Sequence, residues 1–252
     1  MVNGDPSYDA RTTRLAVELM VESERPPAGM LKLEQRVETP IGSGFGTSAA
    51  SAIAAVYAAA GVMGIRKAKE KLALYAHRAE IIEQTGLGTV SVAYKATGAG
   101  AITKAGVPGE ARFKNVKVPK ETRIVTASLA PYDKKDALSS GVISDRVNRL
   151  GGEALEVFLA DPSLDSLAAG GERFSRGLGL ESPEVRKLLR IAKSAGARYA
   201  SQNMIGYAIH AIVDLDNSRR VVRSLSSLVS RPRVDTYEVG AVRAGLVSPS
   251  RR

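Results

Sequence analysis

The strongest chemical signal in this chain is Gly42-Ser43-Gly44-Phe45-Gly46-Thr47-Ser48. Alternate glycines remove side chains where a backbone must come close to a ligand. They follow Pro40-Ile41 and lead into Ala49-Ala50-Ser51-Ala52-Ile53-Ala54-Ala55, a run of strong helix formers. A helix start carries N–H groups without internal partners, and the macrodipole places positive potential there. A phosphate suits that arrangement. Thr47 and Ser48 add hydroxyls that can meet phosphate oxygens or a Mg²⁺ ion. Two other phosphate loops are excluded. A Walker A motif needs Lys before its last Ser or Thr, where this chain has Gly46 before Thr47. The dinucleotide fingerprint needs a different glycine spacing inside a βαβ unit. Taken alone, the glycines also fit a plain tight turn.

The elements around this segment must position it. Asp9 to Met20 reads as a helix, with Leu15, Val17, Leu19 and Met20 among polar residues. Leu31, Leu33, Gln35 and Val37 alternate with Lys32, Glu34, Arg36 and Glu38, which predicts a strand with one wet face ending at Pro40. The Ala-rich run after Ser48 is apolar almost all round and predicts a buried helix. A second helix is predicted over 66–84, with Ala68, Leu72, Tyr75, Ala79 and Ile82 inward and Gly86 and Gly88 as terminators. Val90 to Thr103 reads as β-like, Phe113 to Val118 as a strand, and Ile124 to Leu129 as a buried strand. From Ile143 the pattern turns helical: Ile143 to Phe158, a helix capped by Ser163, and one opened by Ser182-Pro183 and closed by Gly196. Tyr207 to Val213 and Val234 to Val247 read as β-like. The class is α+β, with two lobes, 1–121 and 122–252, meeting near Glu121.

Composition narrows the function classes. Among 252 residues, 36 Lys and Arg oppose 26 Asp and Glu, a net charge of +10. The excess suits a polyanionic nucleotide as well as a nucleic acid, and aromatics at 5% offer few stacking platforms, so nucleic acid is not the expected partner. The densest basic cluster, Arg219, Arg220, Arg223, Arg231 and Arg233, is expected on one exposed face. No cysteine is present, which excludes disulfides and thiolate metal sites. No apolar run is long enough to cross a bilayer, and the N-terminus lacks a secretory pattern, so a cytoplasmic location is expected.

Pro40-Ile-Gly-Ser-Gly-Phe-Gly-Thr-Ser-Ala-Ala50 resembles the phosphate-binding motif of the GHMP kinases, and the form with Phe45 is similar to that of the archaeal pantoate kinases. The likeness continues through Ala76-His-Arg-Ala-Glu80, Thr85-Gly-Leu-Gly88, Gly106-Val-Pro-Gly109, Ala130-Pro-Tyr-Asp133 and Met204-Ile-Gly206. It implies a fold with a ribosomal S5 domain 2-like lobe, shortened at its start, and a ferredoxin-like C-terminal lobe. It implies transfer of the ATP γ-phosphate to an alcohol, for pantoate kinase the primary hydroxyl of pantoate in coenzyme A synthesis. Mevalonate, phosphomevalonate or homoserine-type acceptors and a noncatalytic nucleotide-binding homologue are the alternatives. An RNA-binding role is the further reading left by the S5-like lobe and the charge.

The implied roles are specific. Pro40, Gly42, Ser43, Gly44, Phe45, Gly46, Thr47 and Ser48 would cradle the ATP phosphates. Ser48 and Glu80 would hold Mg²⁺, the alternative for Glu80 being a solvated helix position. Thr89 stands where several family members carry a catalytic Asp, so acceptor orientation here would rest on positioning and charge stabilisation. Arg78 and Lys104 are candidates for the pantoate carboxylate. Ser201 to Gly206 would be a loop backing the phosphates, with fewer glycines than is usual. His77 reads as a packing residue and His210 as a strand residue. Family members carry strands before the segment matching Val2 to Met20, so the chain is expected to be a truncated or shortened form. Exposed strand edges are compatible with a homodimer.

Overall fold

The computed structural model describes residues 1–27, 29–86, 88–129, 141–204, 206–228, 232–240 and 244–246, and for 141–144 the backbone only. The motif Ala130 to Asp133, Leu87, Ile205 and Arg231 lie outside the described residues.

Small side chains build the first core. Helices α1 (Arg11–Glu24), α2 (Thr47–Val62) and α3 (Lys69–Ile82) pack around Ala16, Met20, Ala52, Val56, Ala73 and Ala76, all buried. Alanine at the contacts lets helix backbones approach closely, and each buried methyl still leaves water. Helix α2 is not buried all round: Ala50, Ala54 and Ala58 form an exposed row at four-residue spacing. On α3 the inward set is Leu72, Tyr75, Ala76 and Ala79, whereas Ala68 is the exposed cap residue and Ile82 is 57% exposed. Apolar character at a helix end does not ensure a neighbour to cover it.

The stretch Leu31 to Val37 keeps the predicted alternation, with Lys32, Glu34, Arg36 and Glu38 exposed and Leu31 and Leu33 against the helical core. It is not a ladder strand among the described residues. Its pairing is one bridge between Val2 and Gln35, flanked by bonds between Asn3 and Val37. Alternation reports a wet and a dry face; a ladder also needs a partner strand. The predicted β character from Val90 is likewise corrected. Val90–Ala93 is the short helix α4, with Val90 and Val92 buried, and strand β1 begins only at Ala99. β-branched residues there serve packing, not pairing. Strand β1 (Ala99–Lys104) pairs antiparallel with β2 (Arg112–Val116).

The second core is organised by an antiparallel sheet in the order β4-β5-β3-β6, formed by β3 (Thr122–Ser128), β4 (Tyr199–Gln202), β5 (Ala208–Asp214) and β6 (Arg233–Glu238). Between β3 and β4 run α5 (Gly141–Ala160), α6 (Leu164–Leu178) and α7 (Pro183–Ser194); α8 (Leu215–Ser226) joins β5 to β6. The apolar face of the sheet, with Val125, Ala127, Ile209, Ala211 and Val213, packs on Val185, Leu188 and Ala192 of α7 and Val221 and Leu225 of α8. The opposite face carries Thr126, His210 and Ser201 in mutual register, with Ser128 opposite Ala208.

Strand β4 and helix α8 were not anticipated. Helix α8 buries Ser218, Val221 and Leu225 at helical spacing, a pattern hidden among the arginines. Arg219, Arg220 and Arg223 lie exposed on its outer side, and Arg233 is exposed on β6. The predicted cap of α7 is present: Ser182 Oγ accepts from Val185 N at 3.2 Å, and Gly196 follows the helix at φ 103°. Ser182→Ala should therefore destabilise the protein by about 1 kcal/mol. That loss corresponds to a fall of about 2–4 °C in a thermal melt.

Candidate functional site

Gly42, Gly44 and Gly46 all adopt left-handed backbone, at φ 80°, 82° and 69°. Each would cost any other residue about 1–2 kcal/mol, so the glycines are required by conformation. Gly46 is also the cap of α2 and offers no side chain to its first turn. Those N–H groups therefore face the loop as an anion site would require.

A second loop, running from Asn203 to Gly206, lies against the first. A side chain at Gly44 would come within 2.8 Å of Asn203 Cβ and 2.9 Å of its carbonyl oxygen, and one at Gly206 within 2.7 Å of the Ser43 carbonyl. The two loops touch backbone to backbone, leaving Ser43 only 1% exposed. Asn203 Nδ2 donates to Ser43 O at 3.2 Å, and Gln202 Nε2 donates to Gly206 O at 2.9 Å. His210 Nδ1 lies 2.8 Å from Asn203 Oδ1. Burial lowers the pKa of His210, so the ring is neutral at pH 7. His77, on α3, is lowered for the same reason.

Ser48 and Glu80 meet at a third segment. Ser48 Oγ donates to Thr85 Oγ1 at 3.0 Å, and Thr85 Oγ1 shares a further bond with Thr12 at 2.9 Å. Thr85 N donates to Glu80 O at 3.1 Å. The Glu80 carboxylate occupies the space a side chain at Gly86 would need, 2.2 Å from that ideal Cβ. Glu80 is 3% exposed, which overturns the solvated-helix alternative. Thr89 stands at the rim, its Cγ2 3.7 Å from the Cβ that Gly46 lacks.

Arg78 is exposed on α3, and Lys104 is exposed at the end of β1 in an open groove with Lys95, Arg112 and Lys114. No described contact brings either to the glycine loop. The segment Ser201 to Gly206, expected behind the phosphates, meets the glycine loop through Asn203 and Gly206, whereas Thr12 and Thr85 are residues that sequence reasoning left without a role. Thr85 had a visible signal, since it opens the segment before Gly86 and Gly88; Thr12 had none.

The described residues hold no group of three or more His, Cys, Asp or Glu suited to a metal. Mg²⁺ asks for less: one or two oxygen ligands, with water and substrate phosphates completing its shell. A buried carboxylate and a hydroxyl meeting at one turn beside a phosphate-type loop fit that donor set. No helix of the described residues is long and apolar enough to cross a membrane.

Comparison with known proteins agrees with this geometry. Residues 11–96 match the GHMP kinases N terminal domain. A pantoate kinase of Thermococcus kodakarensis is 25% identical over 231 residues, 90% of this chain and 74% of that protein. A pantoate kinase of Methanospirillum hungatei is 25% identical over 182 residues, 71% of this chain and 58% of that protein. Among solved structures, a phosphotransferase related to the CoA biosynthesis pathway superposes with a TM-score of 0.81 at 24% identity, covering 96% of this chain and 78% of the other. The mevalonate kinase of Methanococcus jannaschii gives 0.66 at 14%, covering 94% and 77%. The homoserine kinase of Cytophaga hutchinsonii gives 0.63 at 16%, covering 97% and 81%. The mixed helix-and-sheet GHMP kinase fold is thus common to all of them, and residues 11–96 carry the N-terminal domain of the GHMP kinases, a family of ATP-dependent small-molecule kinases.

Proposed function

We propose that this kinase phosphorylates pantoate on its primary hydroxyl, giving 4-phosphopantoate for coenzyme A synthesis. The observation that carries the reading is the left-handed glycine loop at the start of α2, beside the Ser48–Thr85 and Glu80–Gly86 contacts. The curated relatives named pantoate kinase supply the acceptor. In the reaction the pantoate hydroxyl oxygen bonds to the γ-phosphorus as the bond to the β–γ bridging oxygen breaks, ADP departs, and the hydroxyl proton passes to solvent.

Residues 40–48 would hold the phosphates. Ser48 and Glu80 would hold Mg²⁺, whose charge offsets that gathered on the transferred group. A threonine is a poor base at neutral pH, so Thr89 would help place the acceptor hydroxyl without deprotonating it. Arg78 or Lys104 would supply the cation for the carboxylate. The division at Glu121 would separate two lobes. A ferredoxin-like reading of the second is supported by its strand-helix order and the sheet order β4-β5-β3-β6. An enzyme of this metabolic step would work in the cytoplasm.

ADP release from Mg·ATP, with and without pantoate, tests the proposal. Turnover should require pantoate and fall at least about tenfold in Ser48→Ala. Turnover with homoserine or mevalonate phosphate instead would replace the acceptor. ATP binding without turnover on any of them would favour a noncatalytic homologue.

A further inference from the structure

We propose that His210 is a positioning residue for the phosphate loop, acting through Asn203 by fixing which way its side-chain amide faces. The proposal rests on the reading of residues 40–48 as the ATP site. The amide of Asn203 has a donor end and an acceptor end of nearly identical shape. Its neighbour on the loop side is the carbonyl oxygen of Ser43, which accepts only. The amide must therefore turn its nitrogen toward Ser43, as it does at 3.2 Å. The opposite orientation sets two carbonyl oxygens against each other.

His210 selects between the two. With Nδ2 committed to Ser43, Oδ1 faces the ring nitrogen of His210 at 2.8 Å and can only accept. The bond forms only if His210 carries its proton on Nδ1. Asn203 is 6% exposed and its own N–H donates to Ala208 O at 2.9 Å, so neither its backbone nor its side chain can drift to water. His210 in turn is held in mid-sheet, opposite Thr126 of β3 and Ser201 of β4. The chain His210–Asn203–Ser43 thus ties a strand of the sheet to the glycine loop of the helical core. Ser43 lies between Gly42 and Gly44, both at positive φ. Glycine-rich backbone is the most freely rotating in a chain, so a bond to the carbonyl between them restrains the segment whose N–H groups must point at the phosphates.

Two measurements on the full chain test this. In the ligand-free protein, long-range ¹⁵N–¹H NMR of the ring nitrogens reads the tautomer of His210, with His210→Asn identifying the resonance against His77. A proton on Nδ1 is expected, and a proton on Nε2 overturns the proposal whatever the catalytic activity. Binding of a fluorescent ATP analogue is the second readout. His210→Ala should weaken it about 3- to 10-fold, with Asn203→Ala weakening it as much and the double variant no further. His210→Asn places an amide N–H where Nδ1–H stood and should restore affinity to within about twofold. Unchanged affinity in His210→Ala, or no restoration by His210→Asn in a chain with a normal melt, overturns the relay. Failure of the unaltered chain to bind the nucleotide would sink the ATP-site reading, and the tautomer would still decide the hydrogen-bond assignment.

Discussion

Glu80→Gln is expected to remove nearly all phosphoryl transfer while leaving the protein folded. The carboxylate is 3% exposed and fills the space over Gly86. Glutamine keeps that volume, so no cavity opens and the turn from Thr85 keeps its shape. What disappears is a carboxylate oxygen of the kind the proposed Mg²⁺ site would draw on. Loss of one preorganised electrostatic partner typically lowers kcat by about 10²–10³, equivalent to about 3–4 kcal/mol of barrier. Activity should therefore fall much further than stability. The checks are a thermal melt without nucleotide and steady-state ADP release across a Mg²⁺ titration. A kcat within tenfold of the unaltered chain would remove Glu80 from the metal site. A large fall in melting temperature would make it a structural residue.

The conformation of the glycine loop was legible in the sequence because its signal is local. Alternate glycines and a helix-forming run dictate backbone geometry over a few residues, and Gly42, Gly44 and Gly46 adopt the left-handed backbone that motif requires. Helix α7 was legible for the same reason, through Ser182, Pro183 and Gly196. Long-range partnership was not legible. Leu31 to Val37 has the alternation of a strand, yet pairing depends on what lies beside it. Asn203 lies in the segment Ser201 to Gly206 that the family resemblance put behind the phosphates, but nothing local singles out the residue itself. Its importance comes from β4 and β5 delivering it to Ser43, 160 positions away in sequence. Glu80 is intermediate: the family resemblance singled it out, the residues alone also fitted a solvated helix position, and the structure buries its carboxylate over Gly86.

The contact between the glycine loop and the Asn203 loop leads to the second large effect, that of Gly44→Ala. Two costs combine at this position. The left-handed backbone at φ 82° penalises any Cβ by about 1–2 kcal/mol. The new methyl would also stand 2.8 Å from Asn203 Cβ and 2.9 Å from Asn203 O. Neither atom belongs to a flexible side-chain end, so the loops must part, at a further cost of about 1–3 kcal/mol. The sum, about 2–5 kcal/mol, predicts a melting temperature lower by roughly 4–20 °C. Gly64→Ala separates the two costs, because Gly64 has φ 68° with nothing within 4 Å of its would-be Cβ. That variant should lose only the conformational share, about 1–2 kcal/mol, and bind ATP normally. Gly44→Ala should bind ATP at least about tenfold more weakly, since displacing the loop misaims its N–H groups. Equal melts for the two variants would mean that the loops yield without cost. Normal ATP binding by Gly44→Ala would mean that the phosphates are held elsewhere. A deficit confined to Gly44→Ala would instead locate the ATP site where the helical core and the sheet core meet, with Asn203 as the fixed wall against which the glycine loop is set.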